Sequence, residues 1–190
     1  MATGRLGFLG RGRSKWVAQV GGPHILGAVG GGGATGALLG GLGMLLALPP
    51  WRPWVIGGVA VLAGCLAVRR QTVPLGRHRQ VPRTWGQTMP PVRRYFLWGA
   101  LLGNGLTTLI PYSSFLVLLS AELTAGVATG ALVGAIFGGT REAMVLFPLL
   151  RGFGPVETMD LLLKCRRQAA RLNTWVALVG GILLILTGWQ

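Results

Sequence analysis

Long apolar runs dominate the chain, and the short stretches between them hold almost all of its charge. Residues 17–48 are nearly charge-free over about 32 positions, more than the roughly 20 that one untilted transmembrane helix needs. Further apolar runs lie at 54–68, 96–119, 123–139 and 173–188, and 143–150 carries the fourth as far as Pro148. Pro49, Pro50 and Pro53, with Trp51 and Trp54, predict a membrane-surface turn with an aromatic anchor. Ser120, Ala121 and Glu122 predict a short outer turn. Residues 155–171 pattern as an amphipathic helix, with Glu157 and Asp160 early and Lys164, Arg166, Arg167 and Arg171 late, as the helix dipole favours. The fold class expected is an all-α polytopic membrane protein of five or six transmembrane helices. Its segments would be a basic arm (1–16), a first repeat (17–68), a basic loop (69–95), and a second repeat (96–188) that includes the amphipathic helix.

Charge fixes the expected orientation. Only 12% of the 190 residues are charged, yet the formal net charge is +14. Sixteen of the 18 Lys and Arg fall in three blocks, Arg5 to Lys15, Arg69 to Arg94 and Arg151 to Arg171. Blocks that flank apolar runs follow the positive-inside rule, and that placement argues against nucleic acid as the partner. The expected partners are the lipid bilayer, with anionic headgroups at the basic loops, and a second copy or another membrane subunit. The basic loops would be cytoplasmic and the C-terminus outside, in a multi-pass protein of the cell membrane, such as a bacterial inner membrane. An inside N-terminus gives five crossings. A turn at Gly30 to Gly33 gives six and leaves the basic arm outside.

The chain also repeats itself. Residues 32–41 read GGATGALLGG and residues 126–135 read GVATGALVGA, identical at seven of ten positions. Gly32, Gly36 and Gly40, and Gly126, Gly130, Gly134 and Gly138, recur every fourth residue. Each set forms one smooth helix face for close packing against another helix. The charge-derived topology sends the two copies across the membrane in opposite senses. Such inverted repeats are a feature of transporters, whose sites lie at mid-membrane between broken helices. Pro23 and Pro111 precede the two copies and are the expected break points.

A Pro-broken helix, a small-residue helix and a basic loop between inverted halves resemble the transmembrane domain of the cytochrome-c-biogenesis and thiol-disulfide carriers, grouped with lysine-exporter-like transporters. The resemblance spans 17–188 as architecture. In those carriers a redox cysteine follows each proline. Here the following residues are His24 and Tyr112, and Cys65 and Cys165 lie elsewhere. The resemblance therefore implies a fold without the redox chemistry. The segments RQVPRTW (79–85) and GAIFGGTREA (134–143) also look like parts of actinobacterial membrane proteins, which implies no activity.

Candidate chemistry is sparse. His24 is the only histidine inside an apolar run, so it is either a proton-handling group or a solvated interfacial residue. Asn104, Thr107, Thr108, Pro111, Tyr112 and Ser113 form either a small polar substrate site or a kink satisfied by its own hydroxyls. Thr35 and Thr129, at matched repeat positions, would complete that site or bond between helices. Glu122 is expected to face outer water, and Arg141 and Glu142 to pair locally at the inner surface. Paired catalytic carboxylates, metal-ligand spacing and phosphate loops are missing from the sequence, so no enzyme, metal or cofactor is expected. Two functions follow: a small permease for a solute or ion, or a non-transporting membrane subunit that packs on a partner through its glycine faces.

Overall fold

The structure is a computed structural model and describes residues 15–47, 53–69, 88–105, 113–151 and 153–187. Among these residues every regular element is helical. A π-helical turn, Val17–Gly21, leads into α1 (Gly22–Leu45). Then follow α2 (Pro53–Val68), α3 (Pro91–Gly103), α4 (Phe115–Leu150) and α5 (Pro155–Thr187). Among the described residues, three helical stretches are long and apolar enough to cross a membrane: Val17–Leu45, Phe115–Pro148 and Val156–Thr187. The apolar helix Pro53–Val68 is shorter.

The surface is consistent with embedding in lipid. Side chains packed inside are mostly small or polar, such as Ala28, Ala60, Ala63, His24, Ser113 and Glu122, with Ile56, Phe115 and Leu146 as the larger apolar members. Large apolar side chains such as Leu38, Leu132, Ile136 and Val179 point outward. A water-soluble domain of this size would bury such residues.

Neither expected break appears in α1. The helix runs through Gly30 to Gly33 without interruption. Each Gly costs about 1 kcal/mol relative to Ala in a helix. An unsatisfied backbone group in lipid costs several, so the helix persists. Pro23 does not break it either. It sits directly behind the π turn, where the Gly22 N–H donates to the Val17 carbonyl. Residues 17–31 thus belong to the same helical stretch as 32–45.

Other boundaries also move. α3 begins at Pro91, so Arg93 and Arg94 are helical and not part of a loop reaching residue 95. A proline at the start, with φ preset for helix, supports that entry. The expected continuous run 96–119 is split, because α3 ends at Gly103 and the next described helix starts at Phe115. Helix continues through 120–122, and the reversal falls at Gly126 (φ 75°, ψ 171°). Only glycine adopts that backbone freely. α4 is therefore two arms, 115–125 and 127–150. Finally, 155–171 and 173–187 form one helix. No Gly or Pro separates them, so the basic half cannot lie flat on a surface that the apolar half crosses.

Glycine sets the helix contacts. α1 and the long arm of α4 run antiparallel with backbones touching at Gly32–Gly134, Gly36–Gly130 and Gly40–Gly126, and Ala28 lies on Gly138. A Cβ at Gly32, Gly36, Gly40, Gly130, Gly134 or Gly138 would run into the carbonyl opposite. α1 carries a second face that the sequence reading did not single out: Gly27 and Gly31 lie on the α3 backbone at Phe96 and Ala100. Gly99 and Gly103 of α3 return the contact at His24 and Ala28, so these two helices rise together. α2 packs antiparallel on α5, through Gly57 on Gly181 and Gly64 on Leu178.

Candidate functional site

Two polar groups lie inside the α1, α3 and α4 assembly, at different depths. The first is at the end nearer the start of α1. His24 Nε2 is 2.9 Å from Glu142 Oε2, and His24 Nδ1 is 3.1 Å from the Tyr95 carbonyl oxygen. Both side chains are buried. The carbonyl only accepts, so Nδ1 carries a hydrogen and donates to it. One further proton must then lie between Nε2 and Oε2, because two bare acceptors would repel. The pair holds that proton as imidazolium–carboxylate or as imidazole–carboxylic acid. The glycine contacts set this meeting: His24 is two turns before Gly32 on α1, and Glu142 two turns after Gly134 on α4.

Beside it, Arg141 Nη1 donates to the Leu102 carbonyl at 2.7 Å. The last carbonyls of a helix have no partner within it. The guanidinium thus supports the end of α3 inside the assembly. Arg141 and Glu142 interact electrostatically as expected, alongside these two cross-helix contacts, but Glu142 is buried and not at the surface.

The second group is Glu122, on the short arm of α4. It is 2% exposed, although an outward, water-facing position was expected. The reversal at Gly126 folds the short arm back on the long one. Glu122 Oε1 lies 3.0 Å from where a Cβ at position 134 would stand, and the Glu122 carbonyl 3.3 Å from one at position 130. Among the described residues Glu122 has no hydrogen bond or ion pair. Gly134 touches Gly32, near the centre of the Val17–Leu45 stretch. Glu122 is therefore at mid-depth, at the level where α3 stops, with the Gly103 carbonyl 3.2 Å from a Cβ at position 32.

The residues expected at a solute site divide. Asn104 follows the last residue of α3, and its N–H donates to the Ala100 carbonyl. Ser113 is buried, and its hydroxyl donates to the Ala63 carbonyl of α2 at 2.6 Å. Thr107, Thr108, Pro111 and Tyr112 lie outside the described residues. Thr35 is buried but donates to Gly31 of its own helix, and Thr129 is exposed. These two threonines are not brought together. His24 is buried, as a proton-handling group would be. Its partner Glu142 and the burial of Glu122 were missed. The repeat held a signal for the first: pairing the two glycine faces antiparallel about Gly36 and Gly130 brings position 24 to 142.

Cys65 and Cys165 are both free and exposed. Among the described residues no group of three His, Cys, Asp or Glu side chains could hold a metal ion. No known family matches the chain, and neither a curated protein nor a solved structure is similar to it.

Proposed function

We propose that the chain is a small multi-pass permease of the cell membrane. It would move a small solute or ion along the polar seam between α1, α3 and α4. The observation that carries this reading is the end of α3 at mid-depth beside a buried carboxyl that has no partner among the described residues. Interrupted helices and ionisable side chains at that depth are what transporter sites are built from. The basic segments would be cytoplasmic and the C-terminus outside, with five crossings now favoured because residues 17–31 continue into 32–45.

The reading includes an inverted repeat. Equating the two ten-residue copies equates Gly36 with Gly130, and these two residues touch. A twofold axis in the membrane plane between them would exchange the pair Gly32–Gly134 with the pair Gly126–Gly40, and both pairs are in contact. That agreement between sequence repeat and packing register supports the symmetric arrangement.

The test is flux through the purified protein alone. Vesicles containing it would be challenged with a panel of small solutes and monovalent ions, and swelling followed by light scattering. Flux by the wild type that falls at least tenfold in Tyr112→Phe plus Ser113→Ala supports the permease. No flux for any solute, with another membrane subunit co-purifying, would replace it by the accessory-subunit reading.

A further inference from the structure

We infer that Glu122 is a proton-binding site at mid-membrane, and that the proton is the ion coupled to transport. The coupling rests on the permease reading. The proton site stands on the surroundings of Glu122 alone.

A carboxylate buried without a partner in an apolar setting is too costly to persist. It must take up a cation or a proton. The surroundings decide between them. A hard metal cation wants about six or more oxygen ligands. The carboxyl contacts glycine backbone, whose carbonyls within the helices are already bonded. The next carboxyl on the long arm, Glu142, is eight residues beyond Gly134, about 12 Å along the helix. A proton needs only one carboxyl oxygen, which the site supplies.

Among the described residues, the helices packed around Glu122 offer no nearer counter-charge. On α1 the only titratable side chain is His24, two turns from Gly32. The long arm carries Arg141 and Glu142, α3 carries Arg93, Arg94 and Tyr95 near its start, and α2 carries Cys65. His24 and Glu142 are already paired, and Arg141 is bonded to Leu102. The short arm has no other titratable group. Gly134 makes the carboxyl's seat, and a side chain there would crowd it. In the proposed step the carboxylate accepts one proton and later releases the same proton. No other reactant is required.

The test uses the full chain in liposomes and an apolar carbodiimide, which attacks only the protonated acid. The acid gives its proton to a carbodiimide nitrogen, and its oxygen bonds to the central carbon. The adduct is located by mass spectrometry across a pH series. The expected result is modification at Glu122 that falls at least tenfold as pH rises, with little at Glu142. Modification confined to Glu142, Glu157 or Asp160, or labelling of Glu122 that does not respond to pH, would overturn the site. The wild-type titration needs no variant, so a misfolded Glu122→Gln would not blunt it. A lumenal pH dye then reads coupling: solute flux should move lumenal pH in wild type and not in Glu122→Gln. Labelling without solute flux would sink the permease and leave the proton site. Solute flux without labelling would do the reverse.

Discussion

His24 and Glu142 are 118 residues apart in sequence and 2.9 Å apart in space, joined across the interface that the glycines define. Removing one member leaves the other buried without its partner, at a cost of about 3–5 kcal/mol. Replacing both with apolar residues of similar volume removes that penalty. His24→Leu should therefore destabilise strongly, and His24→Leu with Glu142→Leu much less. Reversible unfolding in mixed micelles measures the difference. Additive losses in the double variant would contradict the pairing.

The glycine contacts predict a sharp positional contrast. Gly36→Ala and Gly130→Ala each put a methyl against a backbone carbonyl that cannot yield, and overpacking of this kind costs about 1–3 kcal/mol. Gly30 and Gly180 have open space. Alanine there should be neutral or gain up to about 1 kcal/mol from helix propensity. Thermal midpoints of the four purified variants in one detergent provide the comparison.

At Gly126 the penalty is conformational. Its backbone lies in a region nearly closed to other residues, so Gly126→Ala should cost about 1–3 kcal/mol. The fold-back of the short arm should loosen. Phe115 and Phe137 have ring centroids 5.5 Å apart across the two arms. Cysteines at 115 and 137, in a chain lacking Cys65 and Cys165, should cross-link readily, and more slowly once Gly126→Ala is added.

The antiparallel register also predicts sidedness. Lys15 precedes the first turn of the α1 stretch, and Arg151 follows the end of α4. Single cysteines at these positions should react with an impermeant maleimide from one and the same face of sealed vesicles. Reaction from opposite faces would contradict the packing of α1 on α4.

The sequence was a good guide where a pattern is periodic and a poor one where it depends on tertiary contact. Gly32, Gly36, Gly130 and Gly134 were legible as packing faces because a four-residue spacing marks one side of a helix. Gly126 fits the same spacing, and this masked its second role as the reversal. The turn was therefore expected at Ser120 to Glu122, and Glu122 outside. Pro23 was expected to break a helix, but a π turn just before it accommodates the ring. The amphipathic pattern over 155–171 was sound as a pattern, yet without a breaker it could not end the helix. The His24–Glu142 pair needed the relative alignment of two helices, which no single segment encodes.

Because one residue joins the arms of α4, the short arm is a lever pivoted at residue 126. Glu122 is about 6 Å from that pivot and Ser113 about 20 Å from it, at 1.5 Å per residue. A rotation that nudges the carboxyl slightly must sweep Ser113 roughly three times as far. That far tip is moored to α2 by a hydrogen bond to Ala63. Mechanical advantage thus lets a distant mooring set how freely the mid-depth acid can travel.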